Sequence, residues 1–243
     1  MRTKNIRWKL AAMGAAAVVV ACGGGDNTVQ LSGTAYRFNA TSTRIAGATV
    51  RIVEMPELSA VTDSNGVYTL AVPAGKGVTP YITAPGYRSI HLQTFKPVEN
   101  LANVNFQTPD MATFTGLYQL LTYFAGGTVP DQTGCVIVTT VSDAQIVGMT
   151  FSQFVGFGAH GVAGATATAS PALPSPVYFN TNVQPDLRQL NTSKDGGVVW
   201  TNVPVGVYTI SATHPDKQFA SFTATCEAGR IINANPPWGL HGL

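Results

Sequence analysis

The chain has 243 residues, of which 45% are hydrophobic and 11% charged, with 25 glycines and 15 prolines, a balance that suits one or two β-rich domains. Fourteen basic residues against twelve acidic ones give a net charge of +2. The excess comes from the first nine residues, and no Lys/Arg cluster with interleaved aromatics follows, so a nucleic-acid partner is excluded.

Arg2, Lys4, Arg7 and Lys9 precede residues 10–20, which are apolar and carry no charge. That is the n-region and h-region of an export signal. A helix of about 11 residues spans roughly 16 Å, about half of the ~30 Å hydrocarbon core, so residues 1–21 are expected to be a signal peptide, not a membrane span. Val19, Val20 and Ala21 lead into Cys22. This run resembles the lipobox of bacterial lipoproteins, with Val19 where that family more often has leucine. The resemblance implies that the Cys22 thiol receives a diacylglyceryl group, that cleavage follows, and that the new amino terminus is acylated. An ordinary secretory cut after Ala21 is the alternative. Residues 22–29, with Gly23, Gly24 and Gly25, form a flexible tether between lipid and folded chain. Gly23, with no aspartate after the cysteine, resembles the outer-membrane sorting class. Without residues 1–21, ten basic residues face twelve acidic ones, a net charge near −2.

Residues 30–108 form the first predicted module. Asn65-Gly66 marks a tight turn with two residues at positive φ. After it Val67, Thr69 and Ala71 alternate with Tyr68, Leu70 and Val72, a strand pattern. Pro73 ends that strand because it cannot donate to a ladder, and Gly75 permits the next turn. In the connector, 109–133, Met111, Phe114, Leu117, Tyr118, Leu121 and Phe124 recur every three or four residues behind Asp110 and ahead of Gly126-Gly127. This predicts one amphipathic helix with an Asp cap and a glycine stop, packed where the modules meet.

Residues 134–243 repeat the marks of the first module. Ile45-Ala46-Gly47-Ala48-Thr49-Val50 is echoed by Val162-Ala163-Gly164-Ala165-Thr166-Ala167, Val72-Pro73-Ala74-Gly75 by Val203-Pro204-Val205-Gly206, and the Asn65-Gly66 turn by Asp195-Gly196. Residues 168–194 are a long insertion in this second copy, and its run Ser170-Pro171-Ala172-Leu173-Pro174-Ser175-Pro176 reads as an extended, exposed loop. With Cys22 assigned to lipid, Cys135 and Cys226 remain as an even pair; a disulfide in an oxidising compartment is expected, two buried thiols being the alternative.

The hydrophobic-Ala-Gly-Ala-Thr strand, the Asp-x-x-Gly turn with Tyr68 after it, the Val-Pro-x-Gly turn and Ala84-Pro85-Gly86-Tyr87 resemble the carboxypeptidase regulatory-like family. The resemblance covers residues 30–108, and more loosely 134–236, where Thr213-His214-Pro215-Asp216 replaces the Pro-Gly-Tyr ending. It implies an all-β chain of two tandem Ig-like or prealbumin-like sandwiches joined by one α-helix. It also implies a non-catalytic role.

The chemistry-bearing motifs agree. None of His91, His160, His214 and His241 has an acid three residues on, and the chain contains no His-Glu-x-x-His, Gly-x-Ser-x-Gly, Cys-x-x-Cys or Gly-x-x-x-x-Gly-Lys pattern. No catalytic residue, metal or cofactor is assigned. A non-haem iron dioxygenase-like site of two tyrosines and two histidines is the remote alternative. Tyr178 and Phe179, inside the insertion, are the candidate ligand-binding residues, as an exposed stacking pair. The expected function is a lipid-anchored, non-catalytic binding or scaffold protein of the cell envelope, sorted to the outer membrane and facing periplasm or exterior. Its partners would be the membrane through the lipid and another envelope protein or a glycan. A carbohydrate-binding accessory protein is the alternative.

Overall fold

Alternation along the strands builds two cores. A computed structural model describes residues 27–124, 129–130 and 133–243, so the expected signal peptide, Cys22, most of the tether and the Gly126-Gly127 stop lie outside the described residues. In the first half the strands are β1 (Thr28–Arg37), β2 (Ala40–Arg44), β3 (Thr49–Ile52), β4 (Ser59–Val61), β5 (Val67–Pro73), β6 (Pro80–Thr83), β7 (Ile90–His91) and β8 (Phe106–Thr108). Helix α1 (Met111–Phe124) follows. The second half holds β9 (Cys135–Ser142), helix α2 (Phe151–Phe157), β10 (Thr166–Ser170), β11 (Val177–Phe179), β12 (Pro185–Asp186), β13 (Gly197–Val203), β14 (Gly206–Thr213), β15 (Phe222–Cys226), β16 (Ile231–Ala234) and β17 (Leu240–His241). The chain is all-β, and each half is a sandwich.

In the first half β5 and β8 flank β1, with β2 also pairing to it, and this sheet faces β4-β3-β6-β7. Tyr68, Leu70 and Val72 point inward from β5 while Val67, Thr69 and Ala71 face solvent. They meet Leu31, Val50, Ile52, Ile82 and Phe106 in one core. The Tyr68 hydroxyl satisfies itself inside this core by donating to the Val104 carbonyl at 2.6 Å.

In the second half β12-β11-β13-β9, with β16 and β17 beyond, face β10-β14-β15. Cys135 on β9 and Cys226 on β15 are joined by a disulfide with Cα atoms 5.5 Å apart. The bond ties the two facing sheets to each other. Closing a loop of 91 residues, it contributes about 3 to 5 kcal/mol by constraining the unfolded chain.

The expected turns differ in one respect. At Asn65-Gly66 and Asp195-Gly196 only the glycines have positive φ, 72° and 76°. Neither is a hairpin: β4 pairs with β3 while β5 pairs with β1, so the first turn carries the chain from one sheet to the other. Asp63 shapes it, its Oδ1 accepting from the amides of Asn65 and Val67. Each glycine also passes under a neighbouring strand, and a Cβ would lie 2.5 Å from the Ala35 carbonyl oxygen at Gly66 and 2.4 Å from that of Val141 at Gly196.

The sequence echoes extend to single hydrogen bonds. The Thr62 hydroxyl donates to the Ile45 carbonyl and accepts the Ala48 amide; the Thr192 hydroxyl donates to the Val162 carbonyl and accepts the Ala165 amide. Around them the backbone bonds match too, Thr62 to Ala48 and Thr192 to Ala165.

The halves are joined by α1 and also by strand pairing. Ile232 of β16 pairs in parallel with His91 of β7, making one sheet of ten strands across both halves. Beside it the Thr94 amide donates to the Thr223 carbonyl at 2.9 Å. Strand β9 is consequently covered on both faces: Cys135, Ile137 and Val141 enter the second core, while Val136 enters the first. Val199 and Ile231 do the same from β13 and β16, so the first core is completed by residues of the second half. Helix α1 covers this outward face. Its first turn is capped by Asp110, whose Oδ1 accepts the Thr113 amide at 2.8 Å. Phe114, Leu117, Tyr118 and Leu121 are half-buried on it, close to Val136, Val138 and Val199. The Phe124 side chain lies outside the described residues.

Candidate functional site

Residues from both halves enclose a cleft of about 390 Å³. The first half contributes Phe38, Asn39 and Thr41 around the turn from β1 to β2. The second contributes Thr140 of β9, His160 beyond α2, Val183 of the insertion, and Lys194 and Asp195.

Local chemistry positions each wall. Helix α2 begins at a full capping box, Thr150 and Gln153 each satisfying the other's backbone amide. The helix is pinned to the first half: Asn103 Nδ2 donates to the Met149 carbonyl at 2.7 Å, and Arg44 lies 4.1 Å over the Phe151 ring. The His160 ring packs 5.0 Å from Phe154, with Nδ1 2.9 Å from the Gly158 carbonyl oxygen. Asp195 is half-buried; burial raises its carboxyl above the usual range, opposed by the Gly197 amide and the charge of His160. Tyr36, at the base, has its hydroxyl raised by burial, with Arg44 acting against it.

The rim is strained. Val183 has φ 60°, a left-handed conformation that a β-branched residue rarely takes. It is held there by Asn180, whose Oδ1 accepts from the Asn182 and Gln184 amides and whose carbonyl accepts from Val183. Asn39, opposite in sequence origin, has φ 52°. With one carboxyl, one imidazole, one ammonium and several hydroxyls and amides, the cleft can bind a polar ligand by hydrogen bonds.

The expected stacking pair is not formed. Tyr178 and Phe179 are consecutive on β11, so they point to opposite faces of the sheet, and both are buried, at 3% and 8% exposure. Tyr178 enters the second core, where its hydroxyl accepts the Ala167 amide at 3.0 Å. Phe179 enters the first core and lines the cleft floor. The sequence marks an exposed loop at residues 170–176 and carries no signal that β11, which follows it, extends the sheet through β13. Two tryptophans are likewise engaged within the fold: Trp200 is buried and donates to the Pro174 carbonyl, and Trp238 donates to that of Ala102.

The histidines do not converge. His91 stacks on Tyr81 at 5.2 Å, His241 meets Trp238 edge-on at 5.9 Å, and His214 Nδ1 accepts the Asp216 amide. Among the described residues no group of three or more His, Cys, Asp or Glu could hold a metal ion, and no helix is long and apolar enough to cross a membrane. His160 and Asp195 were visible in the sequence only as a lone histidine and a turn aspartate.

No family model matches the chain, and no curated protein does. Among solved structures it is similar to the Bacillus anthracis TIE protein, at 16% identity and a TM-score of 0.27, over 87% of this chain and 34% of that one, so it spans about a third of that protein's length. It is also similar to a minor pilin of Streptococcus agalactiae, at 8% identity and a TM-score of 0.29, over 88% of this chain and 96% of that one. A shaft pilin of Lactobacillus rhamnosus GG follows, at 14% identity and a TM-score of 0.25, over 88% of this chain and all of that one. At such TM-scores these likenesses carry no functional argument.

Proposed function

We propose that the chain is an exported, lipid-anchored, non-catalytic binding and scaffold module of the cell envelope, built from two carboxypeptidase regulatory-like copies. In this reading residues 1–21 are removed, Cys22 carries the lipid and the protein is sorted to the outer membrane. The observation that carries the export half of it is the fully buried Cys135–Cys226 disulfide, a bond that favours an oxidising compartment. The matched hydrogen bonds of Thr62 and Thr192 support the two-copy reading. The ten-stranded sheet shared by both halves supports a rigid scaffold over beads on a string.

Metabolic labelling of cells with an alkyne fatty acid tests the anchor. Labelled protein should fractionate with the outer membrane, and Cys22→Ser should lose both label and membrane association while remaining exported. Label on the Cys22→Ser variant, or an unlabelled wild-type chain, would reject it.

The cleft favours a second, compatible reading: a site for a neutral polar ligand, glycans included, held by Asp195, His160 and the amides around them. Binding on a glycan array that survives both Asp195→Asn and His160→Ala would remove the cleft from consideration.

A further inference from the structure

The two copies differ at one sheet edge. In the first copy, β3 leaves the Ile45–Ala48 turn and pairs on both edges: with β6 on one side, and on the other with β4 through Thr49↔Val61, Val50↔Ala60 and Arg51↔Ser59. In the second copy, β10 leaves the matching Val162–Ala165 turn and pairs with β14 on one edge. Its other edge pairs with no strand among the described residues. Counting back from Thr192 as from Thr62, the counterparts of Ser59, Ala60 and Val61 are Gln189, Leu190 and Asn191. They have peeled away from β10: the Gln189 amide donates to the Asp186 carbonyl, and Leu190 is 84% exposed.

A groove of about 530 Å³ lies between this displaced segment and the β10 edge. Thr168 and Ala169 of β10, Leu187 and Leu190 of the displaced segment, and Pro174 and Trp200 line it, and no charged side chain does. The Ala167 amide points outward from β10, because it meets the Tyr178 hydroxyl. In an antiparallel ladder alternate residues share a direction, so the Ala169 N–H and C=O also point away from β14, into the groove.

We propose that this groove receives an extended, uncharged peptide strand of another polypeptide, added antiparallel to the outward edge of β10 at Ala169, the counterpart of Ile52 and one residue beyond the stretch of β3 that β4 pairs. The first copy supplies the template: β4 is itself an uncharged Ser-Ala-Val segment. The absence of charge along the lining selects against a charged strand, whose side chains would lose water without gaining a partner. Backbone bonds to Ala169 give the register, and the exposed Leu187 and Leu190 give apolar seats for alternate side chains. The proposal names a partner class for the binding module of the preceding section and does not depend on its lipid.

The probe is an acetylated, amidated peptide copying residues 58–62, Leu-Ser-Ala-Val-Thr, titrated into the isotope-labelled full chain. Amide exchange at Ala169 should slow about tenfold at saturation. The same peptide N-methylated at alternate residues should leave it unchanged. Leu190→Lys, a substitution on an exposed side chain, should weaken binding about tenfold, and Ala169→Pro should abolish it. The idea is overturned if the peptide does not bind, or if it shifts residues elsewhere. Ala169 protection without peptide would also overturn it, showing that residues 187–191 close the edge themselves. So would protection that rises with protein concentration alone, because the occupant would then be a second copy. None of these failures touches the lipid anchor, which is read from Cys22.

Discussion

His91 of β7 lies directly opposite Ile232 of β16, at the backbone pairing that joins the sheet of one half to that of the other. Its imidazole stacks on Tyr81, and a backbone hydrogen bond with Ile231 favours its charged form without outweighing burial. Burial pulls its pKa down to about 4, and the positive charges of Arg230 and Arg88 act in the same direction. The folded chain therefore binds fewer protons than the unfolded chain between pH 4 and the ordinary value of 6.5. Stability is full above pH 6.5 and falls as pH drops through that window, by about 3 kcal/mol in total. Burial lowers His241 with the same sign, and Asp195, raised by burial, acts with the opposite one. Comparison with His91→Gln isolates the contribution: urea midpoints at pH 7 and pH 4 should separate more in the wild type than in the variant. Equal losses in both would show that the seam does not sense protonation.

Thr62 and Thr192 each hold a turn together from within, at 3% and 2% exposure. Replacing either by valine keeps the shape but strands the Ala48 or Ala165 amide away from water. The expected cost is about 2 kcal/mol at each position, and serine should restore most of it. Chemical denaturation of Thr62→Val, Thr192→Val and the two serine variants measures this; a large loss in one half and none in the other would contradict the equivalence.

Gly66 and Gly196 are constrained twice, by positive φ and by the carbonyl above each α-carbon. Alanine at either should cost more than about 2 kcal/mol, since the backbone must shift as well as adopt a strained angle. Gly116 is the control: it lies inside α1 with open space around its α-carbon, and Gly116→Ala should be neutral or stabilising by up to about 1 kcal/mol. Thermal melts of the three single variants settle the order.

Val183 has the opposite expectation. It is 37% exposed, so little packing is lost on truncation, and Val183→Gly should relieve the left-handed strain and raise stability by about 1 kcal/mol. A lower melting temperature would mean that its side chain, not the Asn180 bonds, holds the loop.

Local chemistry made much of the fold legible. The alternation from Val67 to Val72, the proline that ends β5, the Asp110 cap and the paired turn marks all report interactions within a few residues of one another, and the structure contains each. What could not be read depends on partners far along the chain. Val136 and Ile137 are both apolar, and only the arrival of β16 and α1 decides that both faces of β9 are covered. Tyr178 and Phe179 read as surface rings because they lie inside the insertion; β13, twenty residues later, draws them into a sheet. The cleft was invisible for the same reason, since Asn39, His160 and Asp195 are brought together by the packing of the two halves and carry no common motif.

The position of β16 between β9 and β7 also dictates an order of assembly. The facing rims of β7 and β9 are joined only when Ile231–Ala234 lies between them. Until then each rim is an unpaired edge of the kind that seeds association between chains. A chain threaded outward from its amino terminus would thus meet its surroundings half-closed, and would depend on a late segment to lock it.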